Sequence, residues 1–359
     1  MTRTGGCIEY TWRLLFAQAC VVAVLLAPLS PFDAVARAQG LVKVTPLGSH
    51  DGELCTDDRA IIFEDPTGVR ILYDPGRRVD ENDPRLGEVD VMLLSHAHVD
   101  HIGDRRPGPA GSGTCGAPGF GAANPQSNFA SIAAAKKSAA FLVSSEMDMF
   151  IGRKIQNILG TPTALCVARD RNDDTIVPRT SPCVSRLHPG GSLLVRRDGA
   201  AAGVRIASVQ AVHPNGIPAA LIDPPGVPPG TTGYGGIAGG YMLQFTNGLT
   251  AYLTGDTGLF SDMEVLVKFY RPNLVVINIG DVGTLGPTEA AYAIQHLIKG
   301  RPTVMPSHLY EHATEEGNIR PGSRLEHFVS LVRGFADVVV PLSNVTRSFD
   351  DEGRCVGCK

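Results

Sequence analysis

The strongest constraint on this chain is a short run of metal-binding side chains directly after an apolar segment. Residues 89–94 have the composition of a buried strand, and His96, His98, Asp100 and His101 follow within a few positions. Side chains two positions apart at a strand end project to the same side, so His96 and His98 can bind one cation. Asp100 and His101 are offset from them and can reach another. The spacing therefore predicts two metal ions.

A structural role is the alternative for these histidines. A single histidine beside a strand is more often a satisfied core or surface residue than a metal ligand. Here three histidines alternate with an aspartate just before Gly103. That combination favours a metal site over structural histidines.

The segment Ser95-His96-Ala97-His98-Val99-Asp100-His101 resembles the His-x-His-x-Asp-His signature of the metallo-β-lactamase superfamily. The resemblance implies an α+β fold, a four-layer αβ/βα sandwich in which helices cover the outer faces of two sheets. It also implies three later ligands at strand ends: a histidine, a bridging aspartate in a Gly-Asp-Thr turn, and a histidine near the C-terminus.

Two histidines compete for the first of these positions. His213 follows residues 204–212, which alternate like a half-buried strand. His188 lies in a turn that precedes a strand, and we expect it to be structural. His213 is therefore the predicted third ligand of the first metal.

The other two positions have clear candidates. Asp256 lies in the turn Gly255-Asp256-Thr257 after the predicted strand 249–254, and the alternative is a helix N-cap. His308 follows the predicted strand 302–306, whereas His312 is expected to be exposed or to lie behind the ligands. The predicted metal ligands are His96, His98, Asp100, His101, His213, Asp256 and His308.

This ligand set predicts a hydrolase with two divalent cations. Zinc is the expected metal, and manganese and iron also suit histidine and carboxylate ligands. Such a pair activates water for attack on an ester, lactone, amide or phosphodiester, with Asp100 or Asp256 as the catalytic proton acceptor. A β-lactamase or other amidase is a weaker alternative, because the resemblance implies that true β-lactamases lack the carboxylate of Asp256. A metal-bearing binding protein without turnover is the alternative from another class.

Further segments resemble one branch of the superfamily. Residues 275–281, 286–291 and 305–308 are similar to the branch that includes bacterial L-ascorbate-6-phosphate lactonase and N-acylphosphatidylethanolamine phospholipase. The resemblance covers about residues 41–340 and implies a lactonase or phosphodiesterase.

Several polar residues near the ligands are candidate substrate contacts. His50, Tyr310 and Glu311 border the expected active-site loops, although His50 can also cap a turn and Tyr310 can belong to the core. Asp281 and Glu289 can either touch substrate or cap a helix that begins near residue 288.

The first 38 residues have the form of a secretory signal. Arg3 and Arg13 precede an apolar stretch, and Ala36-Arg37-Ala38 has the small-x-small pattern of a cleavage site. We expect an exported bacterial protein, periplasmic or secreted. We predict a signal peptide at 1–38, one catalytic domain at 39–345, and a tail with Cys-x-x-Cys at 346–359.

The cysteines agree with export. An even number remains after residue 38, which suggests disulfides in an oxidising compartment, although six cysteines allow fifteen pairings. The preferred pairs are Cys55–Cys115, Cys166–Cys183 and Cys355–Cys358. A zinc ribbon is disfavoured because Cys355 and Cys358 have no second Cys-x-x-Cys to complete it.

The net charge and the Gly/Pro-rich loops limit which kinds of partner the sequence predicts. The formal net charge is −4, and no basic run with interleaved aromatics is present, so the sequence favours a small-molecule substrate over a nucleic acid. Peripheral membrane contact is not indicated, and the oligomeric state stays open. The Gly/Pro-rich stretches 104–128 and 214–240 each follow a ligand motif, so they are expected either to read substrate or to be insertions without a role.

Periodicity gives the remaining elements. Helices are predicted at 130–137, 145–157, 259–270, 288–298 and 325–333, and early strands at 41–47, 60–64, 69–73 and 89–94.

Overall fold

A computed structural model describes residues 38–107, 115, 121–123, 125–166, 175–176, 181–222, 228 and 230–358. The predicted signal peptide lies outside these residues except for Ala38, and parts of the two Gly/Pro-rich stretches also lie outside. Among the described helices, none is both long enough and apolar enough to cross a bilayer.

The described strands form two large mixed sheets. The first contains, in spatial order, Cys355–Val356, Arg347–Phe349, Val42–Leu47, Ala60–Glu64, Arg70–Tyr73, Val91–Leu94, Ala139–Leu142, Cys183–Arg186 and Ala164–Leu165. The second contains Asp337–Val338, Thr303–Ser307, Leu274–Asn278, Thr250–Leu253, Gly239–Gln244, Val204–Gln210, Ser192–Val195 and Thr175–Ile176. Short two-stranded ladders join Gly216–Pro218 to Thr232–Tyr234, Thr314–Glu315 to Asn318–Ile319, and Arg105–Arg106 to Gly121–Ala122.

Helices cover both sheets. Asn128–Lys136 and Ser145–Leu159 pack on the first sheet. Met263–Tyr270, Pro287–Tyr292 with its π-helical continuation Ala293–Ile298, and Arg324–Val332 contribute to a core on the second. Val99–Ile102 is a single α-helical turn, and Pro84–Leu86 and Ala219–Leu221 are 3₁₀ turns. The architecture is the predicted αβ/βα sandwich of the metallo-β-lactamase fold.

One helix begins later than its sequence pattern predicts. The apolar spacing extends from residue 259, but the α-helix starts at Met263. Leu259 is exposed, and the carbonyl of Phe260 accepts a bond from the Met263 amide, so a turn precedes the helix. Asp256 therefore does not cap this helix.

Two apolar cores hold the layers together. The larger one lies between the sheets and includes Phe63, Phe141 and Tyr241, all nearly inaccessible to solvent. Tyr241 belongs to the second sheet and donates its hydroxyl hydrogen bond to the carbonyl of Leu94 in the first, at 2.8 Å. This contact joins the two sheets directly beneath the ligand run.

The C-terminal segment is built into the fold. Arg347–Phe349 pairs antiparallel with Val42–Leu47, and Cys355–Val356 pairs with it in turn. The three preferred disulfides are present, Cys55–Cys115, Cys166–Cys183 and Cys355–Cys358. Cys55–Cys115 ties the early loop after Val42–Leu47 to the first Gly/Pro-rich stretch.

Candidate metal centre

The ligand run occupies the carboxyl end of a central strand. Val91–Leu94 lies parallel to both neighbours in the first sheet, and His96 and His98 follow its end. The one-turn helix Val99–Ile102 then carries Asp100 and His101. Gly103 ends this helix at φ 73°, and a Cβ there would lie 2.1 Å from a backbone carbonyl. Only glycine fits this turn, which fixes where Asp100 and His101 lie.

The second sheet supplies the other ligands from three strand ends. His213 follows Val204–Gln210, Asp256 follows Thr250–Leu253, and His308 follows Thr303–Ser307. His308 adopts φ 55°, an unusual conformation for a residue with a side chain and one that tends to occur at functional sites. The structure therefore brings all the predicted ligands to one edge between the sheets.

His96, His98 and His213 form the first ligand group. One ring nitrogen from each lies within 4.8 Å of the others. The closest pair is His213 Nε2 and His98 Nδ1, 3.2 Å apart. Three neutral imidazoles in this arrangement suit a divalent transition metal.

Asp100, His101 and His308 form the second ligand group, and Asp256 lies between the groups. Oδ2 of Asp256 is 3.3 Å from Nε2 of His101 and 3.3 Å from Nε2 of His308. The same oxygen is 4.0 Å from His96 Nε2 and 3.9 Å from His213 Nε2. One carboxylate oxygen thus faces both groups.

The buried ring nitrogens test whether this site fits a metal. Nε2 of His96 and Nε2 of His101 are both inaccessible to solvent, and neither has a hydrogen-bond partner among the described residues. Buried polar atoms in native proteins are nearly always partnered, so two such atoms at one point need an explanation. A bound cation supplies it, and the residues present fit a metal.

Burial and nearby charges give the two ligand groups different protonation states. Burial lowers the pKa of His213 to about 4 and also lowers that of His98. Burial likewise opposes charge on His101, but Asp256, Asp74 and Asp100 raise its pKa to about 10. In the absence of metal, the first group is therefore neutral while the second carries positive charge among carboxylates.

Three supporting residues were not identified from the sequence. Asp74 Oδ2 is 2.8 Å from His101 Nδ1 and also accepts the Ser95 hydroxyl at 2.6 Å. Asn278 donates to Asp256 Oδ1 at 2.7 Å, which leaves Oδ2 free to face the histidines. Such partners orient metal ligands. Their place in the sequence could have identified Asp74 and Asn278, because both residues lie at the carboxyl ends of strands, as the ligands do.

Arg59 is the third residue that sequence reasoning missed. It stands just before Ala60–Glu64, and its Nη1 donates to Asp100 Oδ2 at 2.5 Å and to His308 Nε2 at 2.8 Å. Burial opposes its charge, but Asp100 and Asp256 raise its pKa above the usual value. The permanently charged guanidinium of Arg59 therefore lies inside the second ligand group.

The predicted substrate contacts lie at different distances from the ligands. The Tyr310 ring packs edge-on against the His308 ring at 4.9 Å, and Tyr310 is 40% exposed. His50 is half-buried in the loop after Val42–Leu47, and no hydrogen bond within the described part of the chain joins it to a ligand. Glu311 accepts the amide of Arg324 at 2.6 Å and so stabilises the start of a helix.

The remaining polar candidates lie outside the ligand groups. The Asp281 carboxylate accepts the Arg324 guanidinium at 2.8 Å, beside Glu289 at the start of a helix. His188 is exposed in its turn, and His312 is half-buried. Neither histidine belongs to the ligand groups found among the described residues.

Similarity to known proteins identifies the family. A protein of Cupriavidus metallidurans called a UPF0173 metal-dependent hydrolase is 30% identical over 252 residues, which cover 68% of this chain and 67% of that protein. The chain belongs to this family. A UPF0173 metal-dependent hydrolase of Cupriavidus taiwanensis is 27% identical over 294 residues, 80% of this chain and 84% of that protein. The chain is therefore a metal-dependent hydrolase, although no family model matches it.

A solved structure has the same fold. The metallo hydrolase Igni18 of Ignicoccus hospitalis aligns with a TM-score of 0.53 and 21% identity, over 87% of this chain and 99% of that one. At this identity the likeness concerns the fold alone.

Proposed function

We propose that this hydrolase cleaves an ester, lactone or phosphodiester bond in a small molecule and uses two divalent cations, with zinc as the expected metal. The position of Asp256 carries the proposal. Its Oδ2 lies 3.3 Å from ring nitrogens of the second ligand group and within 4.0 Å of those of the first. A carboxylate shared in this way suits a two-cation centre.

The residues divide the work by exposure and charge. Cations bound here would lower the pKa of a bound water molecule and polarise an oxygen of the scissile group. Asp256 is buried and held by Asn278, so its role is to position. The Asp100 side chain is 18% exposed and is therefore the carboxylate that solvent reaches, although Arg59 outweighs the effect of burial and holds its pKa well below the usual range. Tyr310 offers a hydroxyl beside His308 that can orient the substrate.

The surroundings indicate the kind of substrate. An open cleft of about 500 Å³ begins at Gly258, two residues after Asp256, and is lined by Leu259, Val282 and Arg324 among others. Val282 is 99% exposed and Leu259 is 42% exposed. The lining also includes Asp281 and Glu289, and Arg324 is paired with Asp281, so the cleft favours a substrate with both an apolar and a polar part. This agrees with the lactonase and phospholipase branch that the sequence resembles.

The test is turnover of simple substrates by metal-loaded protein. We expect hydrolysis of a generic lactone or of a p-nitrophenyl phosphodiester, and loss of this activity in His98→Ala and Asp256→Ala. His188→Ala is the matched control, because His188 is an exposed histidine outside the ligand groups. A broad panel without turnover, or equal activity in His98→Ala and wild type, would contradict the proposal.

We also propose that the mature chain is exported. The three disulfides support this, since structural disulfides persist in oxidising compartments. Expression of the full-length chain in a bacterial host, followed by fractionation and N-terminal sequencing, should give a periplasmic or secreted product that begins at Gln39. A cytoplasmic product that retains residues 1–38 would contradict export.

A further inference from the structure

The Arg59 guanidinium donates hydrogen bonds to two atoms of the second ligand group. Its Nη1 lies 2.5 Å from Asp100 Oδ2 and 2.8 Å from His308 Nε2. A guanidinium is donor-only, so His308 Nε2 must accept this bond with its lone pair. The same lone pair is the one that a cation would use.

The first ligand group has no such competitor. Hydrogen bonds and ion pairs of Arg59 among the described residues involve Asp57, Asp100 and His308, and none involves His96, His98 or His213. A cation in the first group therefore displaces no hydrogen bond of Arg59, whereas one in the second group must displace at least the bond to His308 Nε2.

Arg59 has little freedom to act in another way. Its side chain is 2% exposed, so a substrate cannot reach the guanidinium without rearrangement. Its methylene groups pass close to Gly76, where an added Cβ would lie 3.2 Å from Arg59 Cδ. The nearest alternative partner is Asp57, whose Oδ1 lies 3.5 Å from Nη2. Asp57 is therefore a carboxylate that can keep the guanidinium partnered when a cation binds the ligands.

We propose that Arg59 competes with the second cation, so that the centre fills the three-histidine group first and the second group only weakly. This inference rests on the proposed two-cation function. The charge of the guanidinium repels a divalent ion, and its hydrogen bonds occupy the lone pair of His308 Nε2 and one acceptor site of Asp100. Arg59 thereby sets how many metal ions the protein holds at a given metal concentration.

Metal binding without substrate tests this directly. The metal-free protein is titrated with zinc chloride by calorimetry against a competing chelator, and bound zinc is counted by elemental analysis. We expect one tight site and a second site at least about tenfold weaker in wild type. Arg59→Gln removes the charge and should strengthen the second site about tenfold or more while leaving the first unchanged.

Two further variants separate competition from packing. Arg59→Lys keeps the charge and should keep the second site weak. Arg85→Met is the matched control, because the Arg85 side chain is also nearly buried and paired with carboxylates, Asp83 and Asp51, away from the ligand groups. It should leave both affinities unchanged.

The outcomes distinguish the two proposals. A second site that is unchanged or weaker in Arg59→Gln would overturn the inference, because it would mean that Arg59 orients Asp100 for the metal. Two equally tight sites in wild type would overturn it as well. Failure of the protein to bind a first zinc ion would instead overturn the proposed function with two zinc ions itself.

Discussion

The two ligand groups differ in charge although they share Asp256. The first consists of three imidazoles, and burial lowers the pKa of His98 and His213 below the usual value. The second combines Asp100 with His101, whose pKa is raised to about 10, and with the guanidinium of Arg59. Neutral ligands are ready to bind a cation, whereas the second group must first lose a proton or a hydrogen bond.

The difference shows that ligand residues alone do not define a metal site. Both groups have donors of the right chemistry within 4.8 Å of one another. What separates them is the nearby charge, which comes from residues distant in sequence. The expected effect on zinc binding falls from the ligand histidines to Asp74 and then to Asp58, which belongs to neither ligand group.

Removal of one histidine from each group should have unequal consequences for metal content. His213→Ala removes a ligand of the neutral group, so we expect loss of the tight zinc ion and a fall in hydrolysis of roughly a thousandfold, which corresponds to several kcal/mol. His308→Ala should leave one tight zinc ion in place. Elemental analysis after dialysis and steady-state kinetics measure both effects, and equal zinc loss in the two variants would contradict the contrast.

Loss of the carboxylate that orients His101 should affect the second group more than the first. In Asp74→Asn the bond that His101 Nδ1 donates to Asp74 Oδ2 is weakened or reversed. We expect the second zinc ion to bind about 10- to 100-fold more weakly, as is usual when such a partner is changed. Calorimetry should show a smaller change at the first site, because Asp74 reaches His96 only through the Ser95 hydroxyl. Asp90→Asn is a control, since Asp90 pairs with Arg70 and Arg197 instead of a ligand, and a similar effect there would refute the assignment.

Asp58, next to Arg59 in the chain, should change stability instead of zinc binding. Burial raises the pKa of Asp58 to about 6, against 3.8 for the unperturbed group. The folded state therefore holds a proton that the unfolded state loses, and the free energy of unfolding should fall by up to roughly 3 kcal/mol as pH rises from about 4 to about 6.

Denaturant unfolding at several pH values measures this slope. Asp58→Asn cannot titrate, so its unfolding free energy should lack this part of the decline. Asp337→Asn is the control, because the Asp337 side chain is 65% exposed. An identical pH slope in wild type and Asp58→Asn would show that Asp58 titrates normally.

Several parts of the fold followed from local pattern. The strand Ala60–Glu64 has the bounds that alternation and apolar content predict, and the helix that begins at Ser145 starts where the sequence indicates. The helix predicted from residue 259 was wrong at its start, because apolar spacing continues through a turn before Met263. Apolar periodicity reports which side chains are buried, and a turn that packs on the core satisfies it equally well.

The ligands were accessible to sequence reasoning because each lies in a short motif at a strand end. The spacing of the residues from His96 to His101 itself sets the directions of their side chains. The Gly-Asp-Thr turn identifies Asp256. No sequence motif identifies Arg59, because an arginine before a strand is common. It meets Asp100 across 41 positions and His308 across 249.

The sequence by itself thus determined which side chains can bind metal, because strand ends place nearby residues in predictable directions. The tertiary structure decided how those side chains are charged and partnered. Asp74 and Asn278 reach their ligands through neighbouring strands of one sheet, whereas Arg59 meets His308 only where the two sheets pack together. Electrostatic interactions act through space and depend on burial, so the inequality of the two ligand groups arises from the packing of distant segments.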